Sequence, residues 1–238
     1  MTSVDDDPQD QSPGFAGRKL ANRVALVTGG TRGIGAAICT SLASQGARVA
    51  AGYSGNAERA KAFAAGFEHR FGAPVRLTVH QGNVAAPEDC QRVVEEVIAQ
   101  HGRLDILVNN AGVTVDKLAV DLTTADWDKV IAVNLSGAFH MAQAALRHML
   151  ERGTGRIINV SSLSGETGNI GQANYAASPA SAAGRAHRLV ASCLPDRVDP
   201  VAGLVPAGTR TPHQQRVDRQ RRRAAHRRHP GCLHRPGV

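Results

Sequence analysis

Val24-Ala25-Leu26-Val27-Thr28 runs straight into Gly29-Gly30-Thr31-Arg32-Gly33-Ile34-Gly35, and a helical pattern follows through Leu42. A strand, a glycine-rich turn and a helix in that order bring unpaired backbone N–H groups and the positive end of a helix dipole to one point. Phosphate oxygens are attracted there. Glycine has no Cβ, so a pyrophosphate can lie against the backbone. The spacing is G-x-x-x-G-x-G, not the G-x-G-x-x-G of the common dinucleotide fingerprint. Taken alone, glycines that merely let a helix meet a strand give the same pattern, so the rest of the chain has to decide.

Downstream, the pattern alternates. Arg23–Thr28 reads as a first strand and Gly33–Gln45 as a helix; Arg48–Tyr53 and Val75–His80 read as strands around an alanine-rich helix over 56–71. Pro87–His101 carries Val93, Val94 and Val97 at helical spacing, and Leu104–Val108 is an apolar run of the kind buried on both faces. Asp126–Arg152 predicts one long amphipathic helix and Arg156–Val160 a fifth strand. Alternating strands and helices imply a parallel sheet with right-handed crossovers, whose ligands bind at the carboxyl ends of the strands.

With 238 residues, 42% apolar and 3% aromatic, the chain suits one Ala/Val/Ile-rich α/β domain. Asp5, Asp6, Asp7 and Asp10 make the start acidic where a signal peptide is basic and then apolar. No apolar stretch reaches the roughly 18 residues of a membrane span, so a soluble, cytoplasmic protein with no membrane partner is expected. Cys39, Cys90, Cys193 and Cys232 form no C-x-x-C pair and have no histidines at zinc spacing, so neither a disulfide framework nor a metal site is expected. The net charge of +8 divides unevenly: residues 1–178 hold 16 Lys/Arg against 17 Asp/Glu, and residues 179–238 hold 12 Arg against 3 Asp. The basic excess is a property of the last quarter, not of the domain before it.

Four further segments carry a resemblance: Asn109-Asn110-Ala111-Gly112 after the fourth strand, Asn134 in the long helix, Ser161-Ser162 after the fifth strand, and Tyr175. With Thr28-Gly29-Gly30-Thr31-Arg32-Gly33-Ile34-Gly35 they resemble the short-chain dehydrogenases/reductases over residues 22–178. The resemblance implies a Rossmann-like, doubly wound parallel sheet of α/β class, here incomplete at its C-terminal edge. It also implies hydride transfer between a nicotinamide cofactor and a carbonyl carbon. Such a site needs an acid near the oxygen and a donor to polarise it. By resemblance Tyr175 is the acid, Ser162 the donor, and Asn134 the residue that holds a water in the proton relay. Cofactor contacts are expected from Gly29, Thr31, Arg32, Gly33, Ile34 and Gly35, from Gly82, Asn83 and Val84 beside the adenine, and from Asn109, Asn110, Ala111 and Gly112. Asn83 stands where the family usually has aspartate.

Relatives that take NAD carry an acidic residue near the end of the second strand, and an anion there repels a 2′-phosphate. Here that stretch is Gly52-Tyr53-Ser54-Gly55-Asn56, with no carboxylate. Arg32 and Arg59 supply guanidinium forks that suit phosphate, with Ser54 between them in sequence, so NADPH (NADP+) is the expected cofactor. GNVAAPED, HMLERGTGRIINVSS and GNIGQANYAAS look like reductases of 3-oxoacyl thioesters, acetoacetyl-CoA or 3-oxoacyl-acyl-carrier-protein. Asn169 and Gln172 match acyl-pocket positions of such enzymes, and a homotetramer or homodimer is what the family implies.

The resemblance breaks at Pro179. The family has a lysine there, which holds the nicotinamide ribose and favours the phenolate of the tyrosine. Without that help a rate loss of roughly 10²–10⁴ is expected. Proline also lacks the N–H that would bond the Tyr175 carbonyl and drives Ser178 out of helical geometry, unless a helix restarts at Pro179. Three segments are expected: a disordered leader over 1–21 without periodicity, an NADP-binding Rossmann-like reductase domain over 22–178, and a divergent Arg/His/Pro-rich remainder over 179–238 that is disordered or a frameshifted translation. Impaired activity is the first expectation. A non-catalytic nucleotide-binding remnant is the alternative, or nucleic-acid binding by Arg216–Arg228, which has no interleaved aromatics.

Overall fold

The computed structural model describes residues 19–71 and 77–178. The leader up to residue 18, the expected start of the third strand at Val75, Pro179 and all that follows it, including Arg216–Arg228, lie outside the described residues.

Five strands form one sheet: β1 (Val24–Val27), β2 (Arg48–Tyr53), β3 (Leu77–Gln81), β4 (Ile106–Asn109) and β5 (Arg156–Asn159). Their order is β3-β2-β1-β4-β5, every pairing parallel. The chain winds from β1 to one side, then crosses to β4 on the other. That reversal opens a crevice at the carboxyl ends of β1 and β4, where the glycine turn sits. Among the described residues β5 is the last strand on its side, its residues alternating between exposed and half-buried.

Helices α1 (Gly33–Ser44) and α2 (Ala57–Phe71) cover one face, α3 (Pro87–His101) and α5 (Gly137–Glu151) the other. The strand period of two sends alternate residues of β1 to opposite cores. Val24 and Leu26 pack with Val94, Val97, Leu107 and Met141, while Ala25 and Val27 pack with Cys39, Val49, Phe67 and Val108. Being buried on both faces explains why β1 and β4 read as unbroken apolar runs. Of the expected leader, Leu20 already belongs to the fold: its N–H donates to Gln45 O at 3.0 Å and its side chain packs on the α1/α2 core. β4 opens at Ile106, not Leu104, because Asp105 turns its carboxylate onto the Val24 N–H at 2.9 Å before the pairing with β1 begins at Ala25 and Ile106.

The single helix expected over Asp126–Arg152 is corrected. The structure has α4 (Thr124–Ile131), a π turn over Ala132–Ser136, and then α5. Within the turn the Gly137 N–H reaches back five residues to Ala132 O. The Asn134 side chain accounts for the irregularity: its Oδ1 accepts from Val113 N at 2.9 Å and its Nδ2 donates to Val113 O at 3.0 Å. Such bulges occur mostly where a helix serves a site. Two short helices, α6 (Ser164–Thr167) and α7 (Ala173–Ala177), follow β5. Past α7, Ser178 has ψ 175, the extended geometry that a following proline demands.

α4 begins at a capping box in which Thr123 Oγ1 accepts the Asp126 N–H at 3.1 Å and the Asp126 carboxylate accepts the Thr123 N–H at 3.1 Å. Lys117 Nζ adds a 2.6 Å contact. The Lys117 hydrogen bond first, then those of Thr123, carry the Asp126 carboxyl from 3.8 down to about 2. A carboxyl depressed by folding stabilises above its unfolded pKa, and that contribution disappears as pH falls through the folded one. Asp126→Asn is therefore expected to lower urea-melt stability near neutrality, with the gap to the parent chain closing between pH 3.8 and about 2. A gap that persists at the acid end would show that the carboxylate charge is not its source.

Candidate functional site

Thr28 pins the crevice together. Its hydroxyl accepts the N–H groups of Asn110 and Ala111, both at 3.0 Å, while Asn110 Nδ2 donates to Thr28 O at 2.9 Å. The end of β1 and the loop after β4 thus form one rigid floor, although the two lie some eighty residues apart in sequence. Sequence reading passed over Thr28; a hydroxyl between the last apolar strand residue and the first glycine was its signal.

Above that floor the turn is tightly built. Gly29 has φ +64, a conformation that glycine adopts without strain. A Cβ on Gly35 would run into the Gly29 carbonyl and stand 2.6 Å from Asn110 Nδ2. The N-terminus of α1 has no side-chain cap and no carboxylate in its first turn, in contrast to the capping box of α4 and the Glu88 and Asp89 of α3. Its N–H groups and dipole are left for an anion. Cys39 lies beneath, its Sγ donating to Gly30 O at 3.4 Å; burial pushes the thiol up to about 12, so it packs as a neutral group.

A cavity of about 510 Å3 spreads from this turn over the ends of β2 and β3. It is lined by Gly29, Thr31, Arg32, Gly33, Ile34 and Gly35, by Ser54 and Arg59, by Gly82, Asn83 and Val84, and by Asn110, Ala111 and Gly112. Among the described residues Asp89 is the one carboxylate on its wall, and it is engaged: it accepts the Asn83 N–H at 2.8 Å and Arg92 Nη2 at 2.7 Å. Those contacts, the Asn83 N–H first, hold its carboxyl below the usual range. Asn83 Oδ1 in turn accepts from Ala85 N at 3.1 Å, so the side chain shapes its own loop. Ile34 is 67% exposed, an apolar surface at the mouth that a planar ring would cover. A glycine cradle and an uncapped helix N-terminus on this wall fit the pyrophosphate of a nicotinamide dinucleotide.

A second cavity of about 590 Å3 adjoins the first and holds Asn109, Asn134, Ser162 and Tyr175. Arg32, Ile34, Asn110, Ala111 and Gly112 line both, so the two form a continuous trough. Arg32 is the only Lys, Arg or His side chain among the described residues lining the second cavity. Ser162 Oγ accepts from Ser164 N at 3.3 Å, which leaves the hydroxyl proton available to an acceptor in the cavity. Asn109 ties the wall together, its Nδ2 donating to Ala138 O at 3.2 Å and Asn159 Oδ1 at 2.9 Å.

Asn169 and Gln172 line neither cavity. Asn169 Nδ2 donates to Gln172 Oε1 at 3.1 Å, and Gln172 Nε2 donates to Asp116 Oδ1 at 3.1 Å, a tie across the surface. Among the described residues no group of three His, Cys, Asp or Glu is placed to hold a metal ion, and no helix is long and apolar enough to cross a membrane. Cys39 and Cys90 are free and buried.

The short chain dehydrogenase family model matches residues 23–222, running past Tyr175 into the stretch read above as divergent and stopping before its end. An acetoacetyl-CoA reductase of Rhizobium meliloti is 47% identical over 159 residues, 67% of this chain and 63% of the relative. A 3-oxoacyl-acyl-carrier-protein reductase, FabG of Aquifex aeolicus, is 42% identical over 181 residues, 76% of this chain and 71% of the relative. The chain thus spans 63% of the length of the first of these. A solved structure from Sinorhizobium meliloti, described as a short-chain alcohol dehydrogenase, superposes with TM-score 0.67 at 37% identity, covering 73% of this chain and 67% of that one. With the cradle, the π turn and the Ser162/Tyr175 cavity on one parallel sheet, and a family match over most of its length, the chain belongs to the short-chain dehydrogenase family.

Proposed function

We propose that the protein reduces a 3-oxoacyl thioester, carried on CoA or on acyl carrier protein, to the 3-hydroxyacyl thioester with NADPH in the cytoplasm, at a rate held down by Pro179. The observation that carries this reading is the continuous trough, with a phosphate cradle in one half and Ser162 and Tyr175 in the other. When bound, the nicotinamide supplies the hydride that goes to the 3-carbon. Ser162 donates a hydrogen bond to the 3-oxo group and Tyr175 gives its phenolic proton to the oxygen as the C–H bond forms. Asn134, fixed to Val113, frames the wall behind them. The named relatives act on such thioesters, which favours this substrate class over other ketones. Asn169 and Gln172, out of both cavities, add nothing to the acyl assignment in the arrangement described.

Arg32 and Arg59 on the first cavity's wall support NADPH over NADH. A guanidinium–phosphate pair contributes about 1.5–3 kcal/mol. Arg32→Ala is accordingly expected to weaken NADPH binding by about 10- to 100-fold and to leave NADH within about threefold, read by nucleotide fluorescence titration. Equal losses for both nucleotides would remove Arg32 from the 2′-phosphate. The reductase reading is tested by following NADPH consumption by the purified chain with acetoacetyl-CoA and with acetoacetyl-acyl-carrier-protein. Pro179 favours a second reading, nucleotide binding without turnover, and saturable NADPH binding with no consumption in either assay would support it.

A further inference from the structure

We infer that Ser178 and Asn174 are positioning residues for Tyr175, a two-sided clamp in which the Ser178 hydroxyl takes over the hydrogen bond that the α7 helix forfeits at Pro179. The inference rests on reading Tyr175 as the proton donor. α7 has five residues, too few to hold its own shape, so its geometry has to come from the contacts at its ends.

At the N-terminal side stands Asn174, fully buried. Its Oδ1 accepts the Tyr175 N–H at 2.8 Å, one of the first-turn donors that no helix satisfies internally. Its Nδ2 donates to Val115 O at 3.1 Å. At the C-terminal side a continuing helix would offer the N–H of residue 179 to the Tyr175 carbonyl, and proline has none. In its place Ser178 Oγ donates to that carbonyl at 2.7 Å, with the Ser178 N–H also within 3.2 Å of it. Ser178, 1% exposed, also accepts from Asn134 Nδ2 at 3.3 Å, and Asn134 is locked on Val113. Both flanks of Tyr175 are therefore tied to one loop after β4, through Val113 on one route and Val115 on the other. That loop also floors the nucleotide trough through Asn110 and Ala111, so the phenol and the cradle share a frame.

A merely structural role would cost stability and nothing more, so the test reads Tyr175 itself. The full chain is made with 3-fluorotyrosine; it has two tyrosines, Tyr53 and Tyr175, and Tyr53→Phe assigns the signals. Ser178→Ala is expected to split or broaden the Tyr175 fluorine signal, with a second population of up to about 10%, and Ser178→Thr to keep it single. Pro179→Ala restores a backbone N–H without adding charge, so in that background Ser178→Ala is expected to leave the signal single. Asn174→Ala is expected to broaden it in both backgrounds. NADPH affinity is expected to stay within about threefold across the set, because neither Asn174 nor Ser178 lines the nucleotide cavity and the loop keeps its own bonds to Thr28. An unchanged signal in Ser178→Ala, an equal effect with and without Pro179, or a parallel loss of NADPH affinity would each overturn the clamp. The signal is read without substrate, so absent turnover in the parent chain bears on the reductase reading alone.

Discussion

Pro179→Lys is expected to raise NADPH-dependent reduction of acetoacetyl-CoA by roughly 10²–10⁴-fold, the usual worth of a properly tuned acid/base group. Two effects add in that substitution. An ammonium four residues after Tyr175 falls on the same helix face and favours the phenolate, which makes proton exchange through the phenol easier near neutrality. The new N–H also bonds the Tyr175 carbonyl, and Ser178, released from the constraint a proline places on its predecessor, returns to helical geometry. α7, which stops at Ala177, is then expected to lengthen. Adding Tyr175→Phe should erase the gain, because the lysine acts through the phenol. Steady-state kinetics of the three proteins check this, and a gain below about tenfold would mean that another group moves the proton or that the trough does not take the thioester.

Gly35→Ala is expected to abolish measurable NADPH binding, a loss of more than about 100-fold, equivalent to about 2.7 kcal/mol or more. The added methyl meets the Gly29 carbonyl and stands 2.6 Å from Asn110 Nδ2. Neither neighbour is a flexible side-chain end: Asn110 is held by Thr28 O at 2.9 Å, and Gly29 is the hinge of the turn. Relief has to come from the backbone that cradles the phosphates, and overpacking of this kind costs about 1–3 kcal/mol in stability as well. Gly66→Ala serves as the control. Its Cβ would meet nothing within 4 Å on an exposed face of α2, so a gain of about 0.4–1 kcal/mol is expected with NADPH affinity unchanged. Isothermal titration and urea melts of the two variants separate the site-specific collision from the general effect of replacing glycine.

Much of the architecture was legible because it is written in local signals. The bounds of β2 and α3 coincide with the expected ones, Arg48–Tyr53 and Pro87–His101: β2 is a run buried through its middle that follows the left-handed Gly46, and α3 carries Val93, Val94 and Val97 at helical spacing between Pro87 and the left-handed Gly102. The π turn was not legible. Asp126–Arg152 has an unbroken helical period, and only the pull of Val113, twenty-one residues earlier, on the Asn134 amide explains the extra residue in the turn. Asn169 and Gln172 illustrate the same limit. Their match to acyl-pocket positions of the resembling reductases suggested that pocket; in the structure the left-handed Gly171 and the bond from Lys117 N to Gly171 O turn this segment toward Asp116.

By itself the sequence determined the strand–helix alternation, the glycine cradle, the lack of a carboxylate after β2 and the proline four residues after Tyr175, because each depends on residue type and on neighbours a few positions away. Tertiary structure alone decided that Thr28 bolts the cradle to the β4 loop, that Arg32 and Ile34 line both halves of one trough, and that Asn134, Asn174 and Ser178 hold Tyr175 from two sides. Apart from the local bond of Ser178 to the Tyr175 carbonyl, those are hydrogen bonds and shared surfaces between segments 44 to 83 positions apart. They exist only once the parallel sheet has brought the carboxyl ends of its strands together, and no periodicity within a segment encodes them.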